Sequence, residues 1–243
     1  MKKLFFFIVL LAGASFTIQA QAVLIVDNNQ GAGAPYTTVQ SAINAAQPGD
    51  HIYVQPSPNN YDNINMTKPL NIYSIGYNPE LNAGQRAYIS SITFNGAAGG
   101  SKISGLHIHN INFNYAFNNH GVVITNNRID GTITGNSATN RANDIVISGN
   151  FSYHDNSQFI YNYNSQNWII TNNLYEHTST YHSYTFFNAL NSTTIFNNNI
   201  IKTRADGTSS SIQVFLNCNG AEIKNNIFIF TGNSLTNMNL GGN

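Results

Sequence analysis

The chain has 243 residues, carries 10 Lys plus Arg against 10 Asp plus Glu, and is only 8% charged, far below the ~25% of an average soluble domain. A formal net charge of zero removes the electrostatic basis for holding a polyanion, so no nucleic acid partner is expected. At the same time 42% hydrophobic residues, with 13 Tyr and 15 Phe, supply enough apolar matter to exclude an extended disordered chain.

The first residues read as an export signal. Lys2 and Lys3 form a basic start, Leu4 to Ala12 is an apolar run too short to span a bilayer, and Ala20-Gln21-Ala22 offers the small residues that a signal peptidase reads. The expected organisation is therefore a signal peptide over 1–22 and a single domain over 23–243, secreted or at the cell surface. Cys218 is the one cysteine, so no internal disulfide framework is available, and it reads as a small buried hydrophobe.

After a polar, glycine-rich loop at Asp27 to Gly33, Thr38 to Ala46 places Val39, Ile43 and Ala42 or Ala46 on one helical face, and Pro48-Gly49 stops it. So short a helix is marginal alone, and it makes sense as a lid over the end of an apolar stack. Ile52-Tyr53-Val54 and Leu70 to Ile75 follow as strands, separated by Pro56, Pro58 and a polar turn.

From residue 122 one pattern recurs five times: Val122 to Asn127, Ile145 to Asn150, Trp168 to Asn173, Thr193 to Asn198 and Ala221 to Asn226. Anchored on Ile124, Ile147, Ile170, Ile195 and Ile223, its intervals are 23, 23, 25 and 28 residues, and Ile103-Ser104-Gly105-Leu106 is an earlier relative. Such a period belongs to a solenoid. A leucine-rich repeat would need a Leu five residues before each anchor, where the chain has Asn119, Ala142, Ser165, Leu190 and Cys218, and a convex side of helices that the gaps do not encode. A parallel β-helix fits, with about nine coils in a rod ~40 Å long. Anchors and the residues two before them point inward. Asn127, Asn150, Asn173, Asn198 and Asn226 each fall three residues after an anchor, a column suited to an amide ladder in which each carboxamide donates to a neighbouring coil. Phe159-Ile160-Tyr161, Thr185-Phe186-Phe187 and Val214-Phe215-Leu216 are second strands on another wall.

The stretch from Val26 through Gly76, with Tyr36 to Ile43, Pro48 to Val54 and Lys68 to Ile72, together with the Ile-x-Asn-Asn copies, resembles the secreted right-handed parallel β-helix proteins of the pectate-lyase-like superfamily. The resemblance covers nearly the whole mature chain and implies an all-β, right-handed parallel β-helix solenoid with a short N-terminal capping helix. It says little of activity, because the matched residues build the coil, and the superfamily holds lyases, hydrolases, epimerases and adhesins.

The resemblance directs attention to the outer face of the anchor wall, where the enzymes of that group carry their acid-base residues. Here the residues flanking the anchors are Val123 and Thr125, Val146 and Ser148, Ile169 and Thr171, Thr194 and Phe196, Glu222 and Lys224. Only the last pair is charged, which counts against a pectate-lyase mechanism. Its flat, uncharged rows resemble instead the surface of some β-helical ice-binding proteins. Seven residues after successive anchors come His154, His177 and Lys202, with Asp130, Asp155, Glu176 and Arg204 nearby, a set able to move a proton on a sugar while neutralising a uronate. The same residues equally suit a solvated rim. No third ligand is fixed by their spacing, so no metal site is assigned, and no cofactor motif is read. Tyr153, Tyr161, Tyr175 and Tyr181 are candidates for stacking on sugar rings. The leading expectation is a non-catalytic contact with extracellular polysaccharide, with uronate lyase or epimerase chemistry, or ice binding and adhesion, as alternatives. The C-terminal stretch from Asn233 shows no capping helix, so self-association through the last coil's edge is expected.

Overall fold

A computed structural model describes residues 20–76, 85–114, 116–135, 142–154, 158–163, 165–178, 184–204, 212–231 and 238–239. The fold is an all-β parallel β-helix with a single short helix near its N-terminus among these residues. Its first wall is a parallel sheet of nine strands: Val23–Val26, His51–Val54, Asn71–Tyr73, Lys102–Ser104, Val123–Thr125, Val146–Ser148, Ile169–Thr171, Ile195–Asn197 and Glu222–Lys224. Nine strands at ~4.8 Å give the expected rod of about 40 Å.

The second sheet begins with Ile64–Met66, Tyr88–Phe94 and His107–Phe113, and there it forks. His107 and Ile108 pair with Arg128–Ile129, whereas Ile111 to Phe113 pair with Ile133–Gly135. One branch becomes the second wall, through Phe151–His154, Leu174–His177, Ile200–Arg204 and Ile227–Thr231. The other becomes the third wall, through Ile160–Asn162, Tyr184–Asn188, Ile212–Leu216 and Met238–Asn239.

The helix, Val39–Ala45, buries Val39, Ala42 and Ile43 against the first strands, as its apolar spacing requires. Thr38 caps its start by accepting from the Ser41 N–H at 3.2 Å, and Lys68 Nζ donates to the Ala46 carbonyl at 2.7 Å beyond its end. A seven-residue helix without this packing would not persist. The first wall's edge already includes Ala22, whose carbonyl accepts from His51 N–H at 2.8 Å and whose own N–H reaches Asp50 Oδ1 at 2.8 Å.

Inside, Val122, Ile124, Ile145, Ile147, Trp168 and Ile170 are buried as the repeat demands. Trp168 Nε1 donates to the Ala142 carbonyl at 2.6 Å, which satisfies its one polar atom. Above it the core turns aromatic: Phe159, Tyr175, Phe186, Phe187, Phe196 and Phe215 contact one another across successive coils. Cys218 is buried and reduced, as expected of a small hydrophobe.

One coil departs from the expected register. Ile170 pairs with Phe196 and Phe196 with Ile223, so the fourth anchor is Phe196, and Thr194 is the second inward residue. The true intervals there are 26 and 27 residues, and Ile195 points outward. A large aromatic fills the widening core at this level, and an isoleucine one residue earlier imitates the repeat.

The slip moves one rung of the ladder. The rungs are Asn127, Asn150, Asn173, Asn199 and Asn226; Asn198 is not among them. Asn127 Oδ1 accepts from the Leu106 N–H at 3.0 Å, and from Asn150 onward each Oδ1 accepts from the backbone N–H and the Nδ2 of the rung before: Asn173 Oδ1 from Asn150 at 2.9 and 3.0 Å, Asn199 Oδ1 from Asn173 at 3.0 and 3.0 Å. Each Nδ2 also donates to an anchor carbonyl one coil back, for example Asn173 to Ile147 at 3.0 Å. Asn198 has the other task at this corner. Like Asn126, Asn172 and Asn225 it adopts a left-handed backbone, φ +54° in its case, which Asn tolerates better than most residues. Gly149 does the same at φ +67° in the remaining coil.

Candidate functional site

In a strand the side chains alternate, so a slip of one residue moves a group through the wall. His154 pairs with His177, and His177 with Thr203 rather than Lys202. Both imidazoles point into the core, 2% and 1% exposed, against Phe159 at 4.5 Å and Phe186 at 4.9 Å between ring centres. Burial, with the neighbouring His177 adding to it, depresses the His154 imidazole to about 3. Lys202 lies on the opposite, outer face, and its Nζ meets Glu176 Oε1 at 2.6 Å. The structure therefore keeps His154 and His177 together but not Lys202, because this coil is anchored on Phe196, which puts Thr203 in the inward column and Lys202 outside.

The tyrosines divide in the same way. Tyr153 is exposed on the outer face of the second wall, and Tyr161 lies on the outer face of the third beside Tyr163, 3.8 Å between ring centres. Partial burial and the Tyr163 hydroxyl push the Tyr161 phenol up to about 12. Tyr175 is buried among Phe159, Phe187 and Phe196, and burial alone raises its phenol. Tyr181, Asp155 and the Arg204 side chain lie outside the described residues.

The outer face of the first wall has more character than the repeat suggested. Its middle is the neutral array, now four coils tall: Val123, Val146, Ile169 and Ile195 form one column, Thr125, Ser148, Thr171 and Asn197 the other. Thr194 and Phe196, expected outside, are inside. Towards the helix-capped end the same two columns become polar and aromatic. His51, Asn71, Tyr73, Lys102 and Ser104 surround a depression of about 310 Å³. Tyr53 and Tyr73 sit 5.3 Å apart on adjacent coils, and the His51 ring meets Tyr73 edge-on at 5.9 Å. His51 Nε2 contacts Gln21 Oε1 at 3.0 Å and Asn71 Nδ2 donates to the Gly49 carbonyl at 3.2 Å, which fixes the rim. Lys102 has no acidic partner among the described residues. A volume of this size with aromatic faces and convergent polar groups suits a small ligand or one unit of a polymer.

A second cluster occupies the outer face of the second wall. His107 Nε2 contacts Asp130 Oδ2, and Arg128 Nε donates to Asp130 Oδ1 at 2.8 Å. Burial works to raise the Asp130 carboxyl, but the hydrogen bonds from His107 and Arg128 outweigh it and hold the group below its usual value. Arg86 Nη1 faces His107 Nδ1 at 3.4 Å. Because a guanidinium only donates, this arrangement leaves the imidazole proton on Nε2, aimed at Asp130. The guanidinium of Arg86 lies over Tyr88, and that of Arg128 over both Phe151 and Tyr153. The sequence pattern brings Asp130 to attention only as a neighbour of His154, and does not reveal Arg86, His107, Arg128 or the link between them. The available signal was the pair of outward positions just after each ladder asparagine, where Arg128 and Asp130 fall.

No protein family, curated protein or solved structure that was compared matches the chain. The β-solenoid architecture is consistent with the pectate-lyase-like superfamily.

Proposed function

We propose that the protein is an exported, right-handed β-helix that contacts extracellular carbohydrate through the depression on the first wall without turning it over. The observation that carries this reading is the Tyr73 depression, where the Tyr73 ring, supported by Tyr53 on the adjacent coil, stands with Lys102, Asn71, Ser104 and His51. Ring faces stack on the C–H faces of a sugar while amide, hydroxyl and ammonium groups take its hydroxyls. The basic start at Lys2 and Lys3, the apolar run and Ala20-Gln21-Ala22 support export. Parallel crossovers favour the right-handed winding.

The test is a glycan array followed by calorimetry on the strongest ligand. Replacing Tyr73 by Ala should weaken binding by about tenfold or more, within the 0.5–1.5 kcal/mol of a ring contact plus the area it buries. Full affinity in that variant would remove the depression from the reading.

The cluster on the second wall favours a second reading, uronate lyase or epimerase chemistry. An imidazole held by Asp130 and flanked by two arginines has the parts for proton transfer beside a carboxylate. Unsaturated or epimerised product from wild type, lost on changing His107 to Gln, would establish it in place of a binder.

A further inference from the structure

We propose that the end of the rod opposite the helix is the interface of a closed, tail-to-tail dimer of this chain. At the other end the apolar stack is covered: the helix packs on the first strands, and the segment at Tyr36 pairs with Val26 beyond the first strand. No comparable cover lies over Glu222–Lys224 and Ile227–Thr231 among the described residues. Ile223, Phe228 and Phe230 occupy inward positions yet are only half-buried, whereas Phe196 and Ile201 one coil earlier are fully enclosed. Ile227 and Ile229 are 55% and 41% exposed on the adjoining outer face. The ladder also ends here, for Asn226 accepts from Asn199, but no next rung accepts from Asn226 among the described residues. Strand edges in this state template the addition of further strands.

Two features select a second copy, and one arrangement of it. The helix buries the apolar stack at the N-terminal end, so Ile223, Phe228 and Phe230 find no matching apolar face in a head-to-tail contact, and an isologous contact is favoured. The terminal strand of the first wall is self-complementary. Glu222 and Lys224 both point outward, flank Ile223 and pair with each other at 3.2 Å within the strand, an exposed contact that a facing copy can exchange for cross-strand pairs. If two such strands pair antiparallel about Ile223, each Glu222 stands opposite the Lys224 of the other copy. A two-fold axis through this strand, perpendicular to the first wall, keeps the two first walls in one plane. It also sets the second wall of each copy over the third wall of the other.

Sedimentation equilibrium of the exported chain across the micromolar range tests the arrangement, with circular dichroism to check the fold of each variant. Wild type should form dimers and nothing larger. Changing Lys224 to Glu, or Glu222 to Lys, places like charges opposite each other twice per interface and should weaken dimerisation by about tenfold or more. The double exchange, Glu222→Lys with Lys224→Glu, keeps the self-complementary pattern and should restore it to within about threefold. A strict monomer, open-ended polymers, a stoichiometric complex with a different protein, or a dimer indifferent to the single reversals would each overturn the proposal.

Discussion

Acidification should destabilise this protein through its interior before its surface carboxylates have all titrated. His154 is 2% exposed, packed on Phe159, and in register with His177, with burial the main cause of its depressed value of about 3. In the unfolded chain the same imidazole titrates near its ordinary 6.5. The folded state thus binds fewer protons between these values, so the contribution is fully present above pH 6.5 and is lost as pH falls towards 3. At 1.36 kcal/mol per pH unit the loss is about 2 kcal/mol by pH 5 and about 5 kcal/mol over the whole window, comparable with the entire stability of many domains. Urea unfolding at stepped pH measures it. His154→Met, which keeps an apolar side chain of similar length, should flatten the slope between pH 6.5 and 4 by about one proton. An unchanged slope in that variant, or a His154 ring resonance titrating near 6.5 in the folded protein, would refute the reasoning.

The ladder makes a sharper distinction than repeat spacing does. Asn173→Ala removes four ladder bonds and strands donors and acceptors on both sides, so unfolding should become easier by about 2–4 kcal/mol. Asn198→Gly, which keeps a left-handed backbone, should change it by less than about 1 kcal/mol. Equal effects would place the rung wrongly. At Gly135 a Cβ would lie 2.6 Å from the Trp168 ring, so Gly135→Ala should cost about 1–3 kcal/mol and shift the tryptophan emission; an unaltered spectrum and midpoint would show that the ring has room. Export predicts a mature chain beginning at Val23, checked by intact mass of the secreted protein, and retention of the Lys2 and Lys3 region would reject the signal reading.

The features legible in the sequence are those that repeat because stacking repeats them. Inward Ile124, Ile147 and Ile170 and the asparagines at 127, 150 and 173 lie at equal offsets because each coil pairs in register with the next. Legibility failed where a coil changed length. Thr193-Thr194-Ile195-Phe196-Asn197-Asn198-Asn199 can be threaded with either Ile195 or Phe196 inward, and hydrophobicity alone cannot choose between them. The ring volume available at that level chooses, and that depends on Tyr175, Phe187 and Phe215 from other strands. The same slip carried Lys202 to the imagined side of the wall. The Tyr73 depression and the Arg86–His107–Asp130–Arg128 cluster were obscure for another reason. His51, Tyr73, Lys102, Arg86 and His107 come from the early coils, where Ile52, Ile72, Ile103 and Ile124 stack at unequal intervals, so no fixed offset announces their proximity.

Since inward and ladder positions are committed to the stack, outward positions alone can vary in chemistry, and along the first wall they vary by level. His51, Tyr53, Tyr73 and Lys102 stand near the helix-capped end, neutral Val, Ile, Thr, Ser and Asn in the middle, and Glu222 with Lys224 at the opposite end. With the proposed sugar contact and the proposed dimer, the neutral coils would be a rigid spacer between the two surfaces. A two-fold perpendicular to this wall leaves both depressions on one side of the dimer, roughly 60 Å apart at ~4.8 Å per strand. Two weak sugar contacts held rigidly on one face would engage a long polymer together, so that the second contact forms at high effective concentration. Lys224→Glu should therefore leave affinity for a short oligosaccharide unchanged while weakening retention on an immobilised polymer by about tenfold or more. If retention on polymer follows the short-oligosaccharide affinity in both proteins, the two surfaces act independently and the spacer has no role in recognition.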